Sequence, residues 1–257
     1  MPRSRLILVA AALILAVGIG GFVVYDQVLR GDSAAALTLP TASASPAASA
    51  AAAASTAPAA SSVAGASAAP TTASDGSVAG TWAVASGSQA GYRVREQLAS
   101  LPAESDAVGR TEAVTGSITL KTSGSTTTLT AGSLTVDTTS LTSDETRRDN
   151  RLRTEGLETD KYPTATFTLT GAVEVPAAAL SGTASDLVMT GDLTLHGVTK
   201  SVEIPAKAQL VNGVIQVAGS LSFPLADYSI VAPNIGGFIV SIADQGTLEF
   251  LVNFSKG

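Results

Sequence analysis

"DLVMTGDLTLHGVTKSVEIPAKAQLVNGVIQVAGSLSF", residues 186–223, alternates apolar and polar side chains almost without a break. Over 186–195 the alternation puts Leu187, Met189, Leu193 and Leu195 on one face. Residues 202–210 do the same with Ile204, Ala206, Ala208 and Leu210, and 214–223 with Ile215, Val217, Leu221 and Phe223. A period of two marks a strand with one face buried. The joints agree with it. Asn212-Gly213 suits a two-residue hairpin because both residues tolerate positive φ, and His196-Gly197 holds the equivalent place between the first two runs. Long strands joined by tight turns predict an antiparallel barrel or sandwich.

The pattern continues on both sides. "TATFTLT" (164–170) aligns Ala165, Phe167 and Leu169, and "TLEFLVNF" (247–254) aligns Leu248, Phe250, Val252 and Phe254. Earlier strands are predicted at 81–85, 90–96, 113–121 and 126–137. The charge-dense stretch "LTSDETRRDNRLRTEGLETDKYP" (141–163) breaks the alternation. Thr142 followed by Glu145 fits a capping box, in which the hydroxyl caps an N–H and the carboxylate reaches back. It predicts a short helix over 143–152, with Pro163 closing the segment.

The N-terminal third has a different character. After the basic residues Arg3 and Arg5 in 1–5, residues 6–25 carry no charge. At about 1.5 Å per residue that run spans roughly 30 Å, the hydrocarbon thickness of a bilayer. It is longer than the apolar core of a secretory signal, so it is expected to be a single-pass membrane anchor, with a cleaved signal and a secreted domain as the alternative. The arginines place residues 1–5 in the cytoplasm and the rest of the chain outside. Residues 26–77 read as a linker. From 33 onward it is almost entirely Ala, Ser, Thr and Pro, too poor in large apolar groups to offset the entropy of ordering, and is expected to be disordered with a reach of roughly 35–40 Å. Residues 78–257 are then one globular domain.

The 257-residue chain has a net charge of −6, all of it carried by that domain. An acidic surface without a Lys/Arg cluster argues against a nucleic-acid partner. The chain has no cysteine, so no disulfide and no cysteine-linked lipid supports it, and the domain must rest on its core.

Five stretches, "TWAVASGSQAGYRV" (81–94), "TVDTTSLTSDETRRDNRL" (135–152), "DKYPTATFTLT" (160–170), "MTGDLTLHGVTKSVEIPAKA" (189–208) and "FPLADYSI" (223–230), occur in an order that resembles the YceI-like family of exported, lipocalin-like proteins. The resemblance covers most of 78–257. It implies an all-β fold: an extended eight-stranded antiparallel lipocalin-like barrel with a short helix. It also implies an apolar interior that holds a polyisoprenoid lipid such as a quinone or polyprenyl chain, no catalytic residue and no other cofactor, and it leaves room for a homodimer. Two stretches depart from the family pattern: Arg95, Glu96 and Gln97 with the insert to about 112, and "NIGGFIVSIADQG" (234–246). Both are expected at the barrel mouth.

His196 is the only histidine. A zinc site wants three or four His, Cys or carboxylate ligands, and no nucleophile-elbow motif accompanies it. The expectation is a turn residue whose imidazole bonds a backbone carbonyl or a neighbouring carboxylate; no metal ligand is expected. Arg147, Arg148 and Arg151 suit an anionic headgroup or a solvated helix with local pairs to Asp144 and Glu145; Asp149 is expected to anchor that helix to the barrel. On the residues alone, the aromatic side chains, including Phe254, fit a filled core or a lined tunnel. The family resemblance and the small inward residues Ala165, Gly191, Ala206, Ala208 and Gly219 favour the tunnel. Its expected lining is Trp82, Tyr92, Val94, Phe167, Leu169 and Met189, continued by Leu193, Val217, Leu221, Phe223 and Phe250. The function so implied is carriage or storage of that lipid at the cell envelope. The alternative is a non-catalytic envelope structural or interaction domain with a self-filled core.

Overall fold

A computed structural model of the chain describes residues 33–40, 77–98, 104–232 and 239–256. The anchor expected at 6–25 and the linker residues 26–32 and 41–76 lie outside them. Eleven strands follow in chain order: β1 (Gly80–Val84), β2 (Gln89–Leu98), β3 (Ser105–Thr111), β4 (Val114–Ser123), β5 (Thr126–Asp137), β6 (Thr164–Leu169), β7 (Val173–Val175), β8 (Ser185–Leu195), β9 (Val198–Val211), β10 (Val214–Pro224) and β11 (Ile239–Lys256). All pairings are antiparallel, in the order β1-β4-β5-β6-β8-β9-β10-β11, and β11 pairs back onto β1. The ring is a closed eight-stranded barrel. β2 and β3 belong to the same two staves: β2 continues β1 along β11, and β3 pairs with β2 as β4 does with β1. Closure leaves the eight-membered ring without a free edge strand; β3, outside that ring, pairs with β2 along one edge and meets Thr142 through a single bridge at Arg110 on the other.

The quoted stretch folds as its alternation predicts. β8 and β9 pair continuously from Ser185↔Ala208 to Leu195↔Val198, and β9 and β10 pair from Val211↔Val214 to Ala206↔Gly219. Both turns take the left-handed backbone that their composition suits: His196 and Gly197 at φ 51° and 74°, Asn212 and Gly213 at 52° and 76°. Ile204, Ala206 and Ala208 of β9 are buried inward, with Ile215, Val217 and Phe223 of β10.

Three elements differ from expectation. β3 lies in what reads as an insert. The helix is shorter: α1 (Thr146–Arg151) leads into a wide π turn (Leu152–Gly156). Its N-cap is Glu145, whose carboxylate accepts from Arg147 N, and not Thr142, whose backbone is engaged in a two-way bridge with Arg110 of β3. Finally, residues 33–40 of the expected linker lie extended along the outside of the barrel, bonded to β2, β3, β9 and β11. A second short helix, α2 (Ala177–Leu180), packs against β9.

The barrel has two unlike ends. One carries the β5–β6 connection with α1, the His196 turn and the β10–β11 connection. The other carries the Gly124-Ser125 and Asn212-Gly213 turns and α2.

Candidate functional site: a divided apolar lumen

Inward side chains leave two cavities inside the barrel, of about 180 Å3 and 60 Å3. The larger lies toward the α1 end. Its walls include Tyr92, Val94, Leu193, Leu221 and Phe223, with Leu141, Leu152 and Leu157 from the α1 connection. The smaller lies toward α2, walled by Leu169, Val217, Leu120 and Leu210 among others. Leu134, Phe167, Met189, Phe250 and Val252 belong to both walls, so these five side chains form the partition between the two spaces. For scale, an apolar cavity of about 150 Å3 stays dry and accepts a benzene.

Ten of the eleven side chains expected along a tunnel therefore border one space or both. Trp82 borders neither. It is buried in the core, with its indole N–H donating to Val78 O at 2.9 Å. The small inward residues need a sharper correction. A Cβ built on Gly191 would stand 2.4 Å from the Phe167 ring, and one on Gly219 would stand 2.7 Å from the Phe250 ring. These glycines do not leave volume. They seat the two rings that divide the lumen, and it is the aliphatic walls on either side that leave space.

Polar groups gather at the α1 end. Glu96 of β2 points inward, is 3% exposed and borders the larger cavity. Arg148 of α1 meets it, Nη2 to Oε1 at 2.6 Å, and also pairs with Asp144. Burial works against the Arg148 charge, but Glu96 and Asp144 more than restore it, and its pKa rises. Arg148 is thus the residue that ties helix to barrel. Asp149 instead accepts from Ser143 N and Oγ and ties the helix to its own entry loop. Arg151 pairs with Glu155. The Arg–Glu pair is self-neutralising, which removes the argument for a bare cationic cluster facing an anion.

Tyr92 stands beside that pair. Its ring lies over Gly109, where a Cβ would come within 2.2 Å, and its hydroxyl is buried without a hydrogen-bond partner. Burial pushes its pKa up to about 12; Arg148 opposes the shift, and Asp149, Glu96 and Asp144 add to it. The hydroxyl stays a neutral donor. The raised value carries a stability consequence. Between pH ~10, where an unfolded tyrosine ionises, and pH ~12, the unfolded chain releases a proton that the folded one keeps, so stability falls as pH rises, by about 1.4 kcal/mol per pH unit. Tyr92→Phe is expected to remove that increment of alkaline sensitivity. Urea midpoints of the two proteins between pH 9.5 and 11.5 that run parallel would refute it.

His196 is 8% exposed. Its Nδ1 lies 3.0 Å from Tyr228 O and its Nε2 2.9 Å from Glu158 Oε2, with Tyr162 edge-on at 4.5 Å. One ring nitrogen thus faces a backbone carbonyl and the other a carboxylate. The ring clamps the β8–β9 turn to the two long connections, carbonyl and carboxylate together, and does not border either cavity. Among the described residues no group of three or more His, Asp or Glu is placed to hold a metal.

Comparison with known proteins follows this geometry. A family model described as the YceI-like domain matches residues 82–254. Over 73 residues the chain is 44% identical to protein YceI of Escherichia coli O6:H1, and over 73 residues 42% identical to a UPF0312 protein of Vibrio campbellii. Each match covers 28% of this chain and 34% or 35% of the relative, so the chain spans about a third of the length of the curated relatives it matches. Among solved structures, a polyisoprenoid binding domain from Saccharophagus degradans implicated in plant cell wall breakdown superposes with a TM-score of 0.54 at 22% identity. That match covers 70% of this chain and 99% of the other, and at this identity the likeness is one of fold.

Proposed function

The chain belongs to the YceI-like domain family, and from that premise we propose that its barrel binds the tail of a polyisoprenoid-type lipid, a quinone or polyprenyl chain, for carriage or storage at the cell envelope. The observation that carries this reading is the pair of apolar cavities on the barrel axis, walled by aliphatic and aromatic side chains. The Saccharophagus degradans domain of the same fold is named for polyisoprenoid binding. The reading is one of binding without catalysis, with His196 as a structural clamp, and residues 6–25 as the membrane anchor that holds the barrel outside the cytoplasm.

Each methylene taken from water contributes about 0.8 kcal/mol. A lipid already in a bilayer gains little on moving from one hydrocarbon environment to another, which suits uptake and hand-over. The head group reading follows from Tyr92. A buried hydroxyl without a partner costs about 1–3 kcal/mol, and a ligand carbonyl beside it would accept that bond. The neutralised Glu96–Arg148 pair does not call for a charged head. Both favour a quinone over a polyprenyl diphosphate.

Native mass spectrometry of the barrel expressed without residues 1–77, after gentle extraction, is expected to show an adduct that organic solvent removes and that fragments as a prenyl chain. A spectrum of unliganded protein alone, from cells rich in quinone, would favour the filled-core structural domain instead.

A further inference from the structure

Residues 33–40, "SAAALTLP", form a strap with a definite direction on the barrel's outer face. At its start, Ser33 Oγ bonds Asp106 O at 2.9 Å and accepts from Asp106 N at 3.2 Å. Asp106 is paired in register with Arg95, next to Glu96 at the polar end of the lumen. The next carbonyls are gripped by two arginines: Arg93 Nη2 donates to Ala34 O at 2.6 Å, and Arg110 to Ala35 O. Leu37 N then donates to Glu249 Oε2 at 3.4 Å, and Gln209 Nε2 donates to Pro40 O at 3.3 Å. Gln209 lies beside the Asn212 turn, at the far end. The strap thus runs from the polar end of the barrel to the opposite one.

The barrel surface is shaped for this passenger. Glu249 faces outward from β11, since Leu248 and Phe250 face in, yet it is 3% exposed and held by Arg110 at 2.6 Å. Ala218 of β10 also faces outward and is 7% exposed. Its neighbours on β10 that pair with Glu249 and Gln209 are Ser220 and Gln216, so Ala218 lies on the track between the strap's two contacts. Leu37 and Leu39 are half-buried there.

Only residues 26–32 separate the strap from the end of the apolar run. Seven residues span at most about 25 Å whatever their conformation. An unrestrained chain from 26 to 77 would instead reach roughly 40 Å and let the barrel tumble. At the polar end, Ile230 and Ala232 border the larger cavity, and Val231 between them is 71% exposed. An exposed aliphatic on that rim suits contact with lipid and nothing else in the described structure covers it.

We propose that the strap fixes the barrel on its anchor so that the polar end of the lumen, with the rim at Val231, faces the lipid surface. A chain lipid then passes between bilayer and lumen without its methylenes crossing water. The inference rests on residues 6–25 being an anchor, and not on which lipid is bound.

The full chain has no cysteine, so Val231→Cys and Ser125→Cys each place a single fluorophore, at the polar and the far end respectively. In phosphatidylcholine vesicles with a nitroxide on the lipid headgroup, position 231 is expected to be quenched several-fold more than position 125. Leu37→Asp with Leu39→Asp, which frees the strap and leaves the barrel intact, is expected to bring the two positions close to equal. Inserting twenty Gly/Ser residues after Asp32 should do the same with the strap still docked. Equal quenching in a parent chain that stays with the vesicles through alkaline extraction overturns the proposal while leaving lipid binding untouched. A chain that washes off overturns the anchor and the proposal with it, and asymmetric quenching that survives the strap substitutions shows that something else sets the orientation.

Discussion

Arg148→Met is expected to lower the unfolding free energy by about 3–5 kcal/mol, the usual cost of stripping one partner from a buried ion pair. The cost arises at Glu96. Its carboxylate is on the inward face of β2, among Tyr92, Val94 and the leucines of the α1 connection, and Arg148 is the cation that holds it at 2.6 Å. Without the guanidinium the carboxylate must stay charged in an apolar lumen, take up a proton, or swing out with its strand. α1 also loses its tie to the barrel, because Asp149 binds only its own loop. The effect is separable from lost packing. Glu96→Leu combined with Arg148→Met replaces the pair by apolar groups of similar size, a change that is often neutral or better, and is expected to recover most of the loss. Urea unfolding of the four proteins of this double-mutant cycle measures the coupling. A single-mutant cost under about 1 kcal/mol, the range of exposed pairs, would mean that water reaches the pair and that this end of the lumen is wet.

The barrel was legible wherever one face carries large apolar residues and the other does not. β8, β9 and β10 satisfy that, and their turns carry residues that accept positive φ. β3 does not, for a reason the structure makes plain. Its inward positions are Ala107, Gly109 and Thr111, small because the Tyr92 ring from the paired strand occupies the space above Gly109. A strand whose inner face is filled by its neighbour shows no period of two. The α1 cap was misread for a related reason: the sequence matches a capping box, but a tertiary contact, the bridge to Arg110, takes Thr142 away. The strap leaves still less trace. Apart from the Ser33 hydroxyl, its docking uses backbone carbonyls and a backbone N–H, which every residue has, and only Leu37 and Leu39 mark it off from the Ala/Ser/Thr-rich stretch around it. Of the site, the lining residues on the strands followed from alternation, except that Trp82 is buried without bordering a cavity, while Leu141, Leu152 and Leu157 come from a connection that has no period of two. The partition did not follow from alternation. It depends on which glycine lies under which ring, and Gly191 and Gly219 are not adjacent in sequence to the phenylalanines they seat.

That partition gives the second large effect. Phe167→Ala is expected to cost about 3–5 kcal/mol, as large-to-small core changes do when the surroundings relax only partly, and to join the two cavities into one. If a prenyl tail enters from the polar end, the wall of Leu134, Phe167, Met189, Phe250 and Val252 sets how deep it reaches. Opening the wall should move the preference toward longer chains. Offered a mixture of short and long polyprenols, the parent barrel is expected to retain the shorter and Phe167→Ala the longer, read as the ratio of adduct masses. Phe167→Leu keeps more of the packing and guards against a variant too unstable to assay; it should shift the ratio the same way by less. Gly191→Val works in the opposite sense. A Cβ there meets the Phe167 ring and Thr168 O, both at 2.4 Å, so the ring is driven into the lumen and even short chains should be lost. A loss of stability in Phe167→Ala with no change in the chain-length ratio would show that the tail stops short of the partition, confining the ligand to the larger cavity and leaving the smaller one as packing space.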